Sequence, residues 1–101
     1  MSALVDSEAV FTARCQQLSV PEAAVATMKA AGWTTMGLFA FSTSYVPGAA
    51  DDKAFREDVL ARVLSDANAV GAASLRRLFY EAFSLAGAEM KERANRSEDA
   101  S

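Results

Sequence analysis

Histidine is absent from these 101 residues. That gap removes the most frequent general base, the centre of the usual nucleophile triads and the commonest transition-metal ligand. Cysteine is nearly as scarce. Cys15 stands alone, so no intramolecular disulfide can form, a structural zinc site has too few donors, and a Cys–His nucleophile pair is ruled out. It reads as a small core hydrophobe. Gly32, Gly37, Gly48, Gly71 and Gly87 form neither a G-x-G-x-x-G fingerprint nor a phosphate loop followed by lysine. Asp51-Asp52 and Glu57-Asp58 lack the D-x-[DN]-x-[DN]-G ladder that calcium requires, and Asp51 and Asp52 read instead as helix caps. No catalytic residue, metal site or cofactor is implied, and the chain is read as a non-enzyme.

Charge is missing from one long stretch: nothing between Lys29 and Asp51 carries any. Gly32, Thr34, Thr35, Ser42, Thr43, Ser44 and Pro47 interrupt it, so no run of about twenty apolar residues exists and a membrane span is rejected. The segment is then either the centre of the core or a face that a partner covers. The N-terminus lacks the basic and continuous apolar regions of a signal peptide, and Asp6 and Glu8 argue against a transit peptide. With a single cysteine this points to the cytoplasm or nucleus.

What is present favours packing. The chain is 51% hydrophobic and 23% charged, a composition of folded domains rather than disordered ones. Its length fits one domain. A formal charge of −3 gives a field that repels nucleic acid and anionic membrane.

Apolar residues recur every three or four positions. Asp6 or Ser7 can cap a first helix to about Leu18, with Val10, Phe11, Cys15 and Leu18 on one face. Ser19-Val20-Pro21-Glu22 has the form of a capping box and predicts a second helix carrying Ala24, Val25, Met28 and Ala31. Gly32 suits the left-handed position past its end, with Trp33 folding back on the helix. Thr34 or Thr35 can cap a short third helix whose Met36, Leu38, Phe39 and Phe41 are apolar nearly all round, which predicts burial on several sides. Phe, Thr, Tyr and Val in this region also favour strand, but there is no second strand-like run to pair with. Pro47-Gly48 predicts a turn. A fourth helix from Asp51 or Asp52 to about Leu64 carries Phe55, Val59, Leu60, Val63 and Leu64. After a loop near Asp66, Asn68 can cap a long last helix with Leu75, Leu78, Phe79, Ala82, Phe83, Ala86 and Met90 on its apolar face. The expected architecture is all-α: a compact bundle of about five helices with a long C-terminal helix, one domain over residues 1–94, and a flexible polar tail or linker over 95–101.

The polar faces read as paired. At helical spacing Asp52 meets Arg56, Lys53 meets Glu57, Asp58 meets Arg62, Arg77 meets Glu81, Glu89 meets Arg93 and Glu92 meets Arg96. These neighbours oppose a nucleic-acid stripe built from Arg76, Arg77, Lys91, Arg93 and Arg96, which stands as an alternative function. The aromatics read as core. A cavity among them that holds an apolar ligand is the other alternative. Arg76 and Tyr80, one turn apart, can form a cation–π contact.

Three segments together, Gly32-Trp33-Thr34-Thr35-Met36-Gly37-Leu38-Phe39-Ala40-Phe41, Ser44-Tyr45-Val46-Pro47-Gly48 and Leu75-Arg76-Arg77-Leu78-Phe79-Tyr80-Glu81-Ala82, carry a resemblance. The pattern resembles an uncharacterised helical module of predicted dinoflagellate proteins from mobile-element-rich genomes. The likeness spans about Phe11 to Asp99. It implies a helical domain that is part of something larger, and it brings no reaction, cofactor, ligand or site residue. The turn Ala31-Gly32-Trp33-Thr34-Thr35 between two short helices is also similar to those of SAM-like and helix-hairpin-helix modules. The functional expectation is a helical protein-interaction or assembly module that binds a protein partner or itself. Its candidate binding residues are Trp33, Phe39, Phe41, Tyr45, Arg76 and Tyr80.

Overall fold

The computed structural model describes residues 4–64 and 70–100, and of Arg93 and residues 95–100 the backbone only. A single 3-10 turn, Leu4–Asp6, leads into helix α1, Glu8–Gln17. The expected cap is in place: the Ser7 hydroxyl accepts the Val10 N–H at 3.2 Å. Phe11 and Cys15 face inward and are buried, while Val10 and Leu18, at the edges of the same stripe, are half-buried.

The link to helix α2, Glu22–Ala30, differs from the capping box expected at Ser19. Ser19 adopts a left-handed conformation, φ 61°. Its N–H donates to the Gln16 carbonyl at 3.1 Å and the Val20 N–H to the Cys15 carbonyl at 2.9 Å. This pair of bonds is the Schellman closure of α1. Ser19 therefore terminates the first helix instead of capping the second, and α2 starts after Pro21 with no side-chain cap. The same closure ends α2, here as expected. Gly32 takes φ 93°, its N–H bonds the Lys29 carbonyl at 3.0 Å, and the Trp33 N–H bonds the Met28 carbonyl at 2.9 Å. Trp33 is thereby drawn back into the core.

Helix α3, Met36–Ala40, is capped by Thr35, whose hydroxyl accepts the Leu38 N–H at 3.2 Å. It packs chiefly on the last helix. Met36, Phe39 and Ala40 are buried, but Leu38 and Phe41 are 53% and 59% exposed. The expectation that this short helix is covered on several sides is therefore corrected: a helix of this length has one supported face, and the polypeptide after it turns away. That turn is at Pro47-Gly48, where Gly48 has φ 96° and the Ala49 N–H bonds the Val46 carbonyl at 3.0 Å, the pattern of a type II turn.

Helix α4 covers 53–63 in three joined pieces: α-helical Lys53–Phe55, a π-helical turn Arg56–Leu60, and α-helical Ala61–Val63. In the wide turn the Ala61 N–H reaches the Arg56 carbonyl, five residues back. Adjacent Val59 and Leu60, both on this turn, are fully buried. The Asn68 cap and the loop near Asp66 lie outside the described residues.

Helix α5, Gly71–Ala100, has 30 residues, a length of about 45 Å at 1.5 Å per residue. It accounts for most of the long dimension of a molecule measuring 50 × 32 × 20 Å. Leu75, Leu78, Phe79, Ala82 and Ala86 face inward and are buried. Met90, expected on this face, is exposed instead, because no other described element reaches it. The backbone stays helical through residues assigned above to a polar tail.

The core centres on Phe79. Its ring lies 5.3 Å from Phe39, 5.0 Å from Phe55, 5.8 Å from Tyr45 and 6.4 Å from Phe83. Phe11 and Trp33 join through Phe39 at 6.0 and 5.8 Å. Edge-to-face contacts dominate the tightest of these, the arrangement the ring quadrupole favours. Among the described residues no strand occurs, and no helix is long and apolar enough to cross a membrane.

Candidate functional site

The chain of rings that begins in the core comes to the surface at one place. Phe79 touches half-buried Phe83 on α5, and Phe83 touches Phe41, just past the end of α3, at 6.2 Å. Phe41 and Leu38 then stand out of the same short helix into solvent. Single exposed apolar residues are ordinary, but a connected aromatic patch calls for a reason. Of the residues the sequence singled out, Trp33 and Phe39 are buried and offer no surface. Within the uncharged segment Trp33, Met36, Phe39 and Ala40 are core, while Leu38, Phe41 and Val46 are exposed. Leu38 belongs with Phe41 and was not singled out; its place opposite Met36, Phe39 and Ala40 on so short a helix was the available signal.

Tyr45, Arg76 and Tyr80 come together at a neighbouring cleft, along with Pro47, Phe55 and Phe79. Thr43 positions this loop: its hydroxyl donates to the Asp58 carboxylate at 2.7 Å and accepts the Tyr45 N–H at 3.2 Å. Asp58 is therefore joined to Thr43 instead of the expected Arg62. The Arg62 guanidinium lies 5.4 Å from the Trp33 ring centre. Arg76 also departs from expectation. It sits 5.4 Å from the centre of the Phe55 ring, not over Tyr80, and its Nη1 meets Asp52 Oδ2 at 2.6 Å.

Asp51 or Asp52 was expected to cap α4; Asp52 is the residue at the cap position. Its carboxylate makes no cap bond and is taken by Arg76 and, at 3.0 Å, by Arg56. The Lys53 N–H instead donates to Asp51 at 3.0 Å. Hydrogen bonding from Arg76 holds the Asp52 carboxyl below its ordinary range, against a desolvation cost that acts in the opposite direction.

A second shallow cleft, about 310 Å3, lies between α1 and α5 and is lined by Val10, Ala13, Met36, Leu85 and the polar groups of Arg14, Gln17 and Glu81. An ion pair fills its polar side: Arg14 donates to both carboxylate oxygens of Glu81. Arg77 approaches the same carboxylate at 3.8 Å. Both arginines proposed for phosphate contacts within the described part of α5, Arg76 and Arg77, thus already face carboxylates. Cys15 is buried, and desolvation pushes its thiol up to about 11, with the charge of Lys29 acting against that rise. Among the described residues no group of three His, Cys, Asp or Glu side chains is placed to hold a metal ion.

No protein-family model, curated protein or solved structure matches this chain.

Proposed function

We propose that the chain is a non-enzymatic helical protein-interaction or assembly module that docks a protein partner, or a second copy of itself, through the seam of Leu38, Phe41 and Phe83. One observation carries the reading: an aromatic ladder anchored on the buried Phe79 ends in a Phe41 that is 59% exposed. Anchoring matters because a ring held by its neighbours loses little freedom on binding, and rigid aromatic anchors dominate interface energies. The resemblance to a helical module within larger polypeptides supports the same reading. A cytoplasmic or nuclear setting goes with a lone, unpaired cysteine. Nucleic acid fits less well, since Arg76 and Arg77 are occupied by Asp52 and Glu81.

The test places a photo-crosslinking residue at position 41, and at exposed Glu57 as control, in cells and in purified protein. Position 41 should give discrete protein adducts, and Phe41→Glu should abolish any concentration-dependent mass in sedimentation. A chain that stays monomeric at all concentrations and yields no adduct from position 41 would overturn the proposal.

A further inference from the structure

The cleft between the 45–48 loop, α4 and α5 combines aromatic rings with an excess of positive charge. Its volume is about 170 Å3 and its lining is Tyr45, Pro47, Phe55, Arg76, Phe79 and Tyr80. Phe55 and Phe79 are each 1% exposed, and Tyr45 packs on both at ring-centre distances of 5.6 and 5.8 Å. Arg76 is the one charged residue of the lining, with its guanidinium 5.4 Å from the Phe55 ring centre and its side chain 43% exposed.

The carboxylate that faces Arg76 is shared. Asp52 meets Arg76 Nη1 with Oδ2 at 2.6 Å and Arg56 Nε with Oδ1 at 3.0 Å. Both oxygens are thus engaged, and two guanidiniums divide one negative charge between them. Among the described residues no other carboxylate of α4 or of the first half of α5 pairs with either arginine. Asp51 accepts the Lys53 N–H, Glu57 pairs with Lys53, Asp58 accepts from Thr43, and Glu81 lies with Arg14 and Arg77. A positive charge is therefore left over beside buried rings, on a chain whose net charge is −3.

Each feature restricts what can bind. The volume is below the roughly 300–1,000 Å3 of sites for drug-sized molecules, so a single ring or side chain is the limit. Ring faces favour an apolar group. The surplus charge sits on a guanidinium, whose planar fork matches a carboxylate in both geometry and sign. A lone excess charge also suits a monoanion better than a run of phosphates.

We propose that this cleft binds a carboxylate joined to a single ring, with the apolar group against Phe55 and Phe79 and the carboxylate on Arg76 in competition with Asp52. A free arylalkanoic acid carries such a group, and so does the C-terminal aromatic residue of another polypeptide. The site is separate from the Phe41 seam.

The experiment titrates the isotope-labelled full chain at low salt with phenylacetate, with N-acetylphenylalanine and with the neutral N-acetylphenylalanine amide, following backbone amide shifts. Saturable shifts around Tyr45, Arg76 and Tyr80 are expected with acid, at a Kd of about 1 mM, and the amide should bind about fivefold more weakly or less. Asp52→Asn is the decisive variant. By removing the internal competitor it should tighten acid binding about two- to fivefold and leave the amide unchanged. Arg56→Gln has the opposite sign: it gives Asp52 wholly to Arg76 and should weaken acid binding about twofold, which keeps the test open where Asp52→Asn disturbs the native spectrum. Arg76→Gln should abolish the preference for acid over amide. Binding of phenylacetate alone marks a free acid as the ligand and binding of both acids marks a polypeptide terminus; either supports the proposal. Three results overturn it: no saturable shift at about 20 mM acid, equal affinity for acid and amide, or natively folded Asp52→Asn and Arg56→Gln chains that bind acid as the original does. Loss of adducts at position 41 with acid binding intact removes the seam and spares the cleft. The reverse pattern removes the cleft alone.

Discussion

Arg14 on α1 and Glu81 on α5 meet as a two-pronged pair, Nε to Oε2 at 2.7 Å and Nη2 to Oε1 at 2.5 Å. The bond joins the first helix to the last, and each side chain remains nearly one-third exposed. Hydrogen bonding from Arg14 holds the Glu81 carboxyl below its ordinary range, opposed by desolvation and assisted by the charges of Arg14 and Arg77. A carboxyl lowered on folding stabilises the protein above its unfolded pKa, and that contribution is lost as pH falls through the lowered folded value. The urea midpoint should therefore fall as pH drops from about 7 to about 3. Glu81→Gln should start lower at neutral pH and fall less, so that the two curves converge in acid. Parallel curves would show that the pair contributes nothing to the pH dependence.

Phe79 is the residue on which most rings converge. Removing it opens a cavity bordered by Phe39, Tyr45, Phe55 and Phe83. Phe79→Ala should cost about 3–5 kcal/mol in equilibrium unfolding, a large share of the roughly 5–15 kcal/mol expected for a domain. Phe41→Ala, by contrast, should change stability by less than about 1 kcal/mol, because its ring is mostly in water already.

Ser19 occupies a backbone region that disfavours a β-carbon. At φ 61° an L-residue other than glycine carries a penalty of about 1 kcal/mol. Ser19→Gly should raise stability by a similar amount, or several degrees in Tm for a domain of this size. Gly32→Ala should do the opposite. The open space around Gly32 means that its loss is purely conformational, so a crystal structure of that variant should show no displaced neighbours.

Cys15 should be silent toward thiol reagents. Only 1% of it is accessible and its pKa is raised to about 11 by desolvation, so at pH about 8 nearly all of it is the unreactive thiol. Modification should follow the urea unfolding curve. Rapid stoichiometric labelling of the folded chain would contradict this placement.

Much of this fold was readable from residue spacing, and the reason is local. Ser7, Thr35, Gly32 and Pro47-Gly48 act on backbone groups within a few residues of themselves, so their roles follow from short sequence windows. The buried positions of α4 and α5 follow from the helical period in the same way. The failures share a different cause. Asp52 answers to Arg76 as well as to the expected Arg56, Glu81 to Arg14 as well as to the expected Arg77, and Asp58 to Thr43; the added partners are distant in sequence, where four-residue spacing carries no signal. Ser19 had two legitimate uses, closing one helix or opening the next, and only the packing of Val20 into the core decides between them. For the candidate site, Phe41, Tyr45, Arg76 and Tyr80 were identifiable by type, but Trp33 and Phe39 were indistinguishable from them until burial was known.

Because Phe79 touches rings from α3, the following loop, α4 and its own helix, none of these elements can loosen without disturbing the others. Slow amide-exchange protons from Phe39, Leu60 and Leu78 should consequently report one shared opening free energy, equal to that of global unfolding. Amides of residues 87–92, past the last side chain of α5 that is buried among the described residues, should exchange through openings independent of that unit.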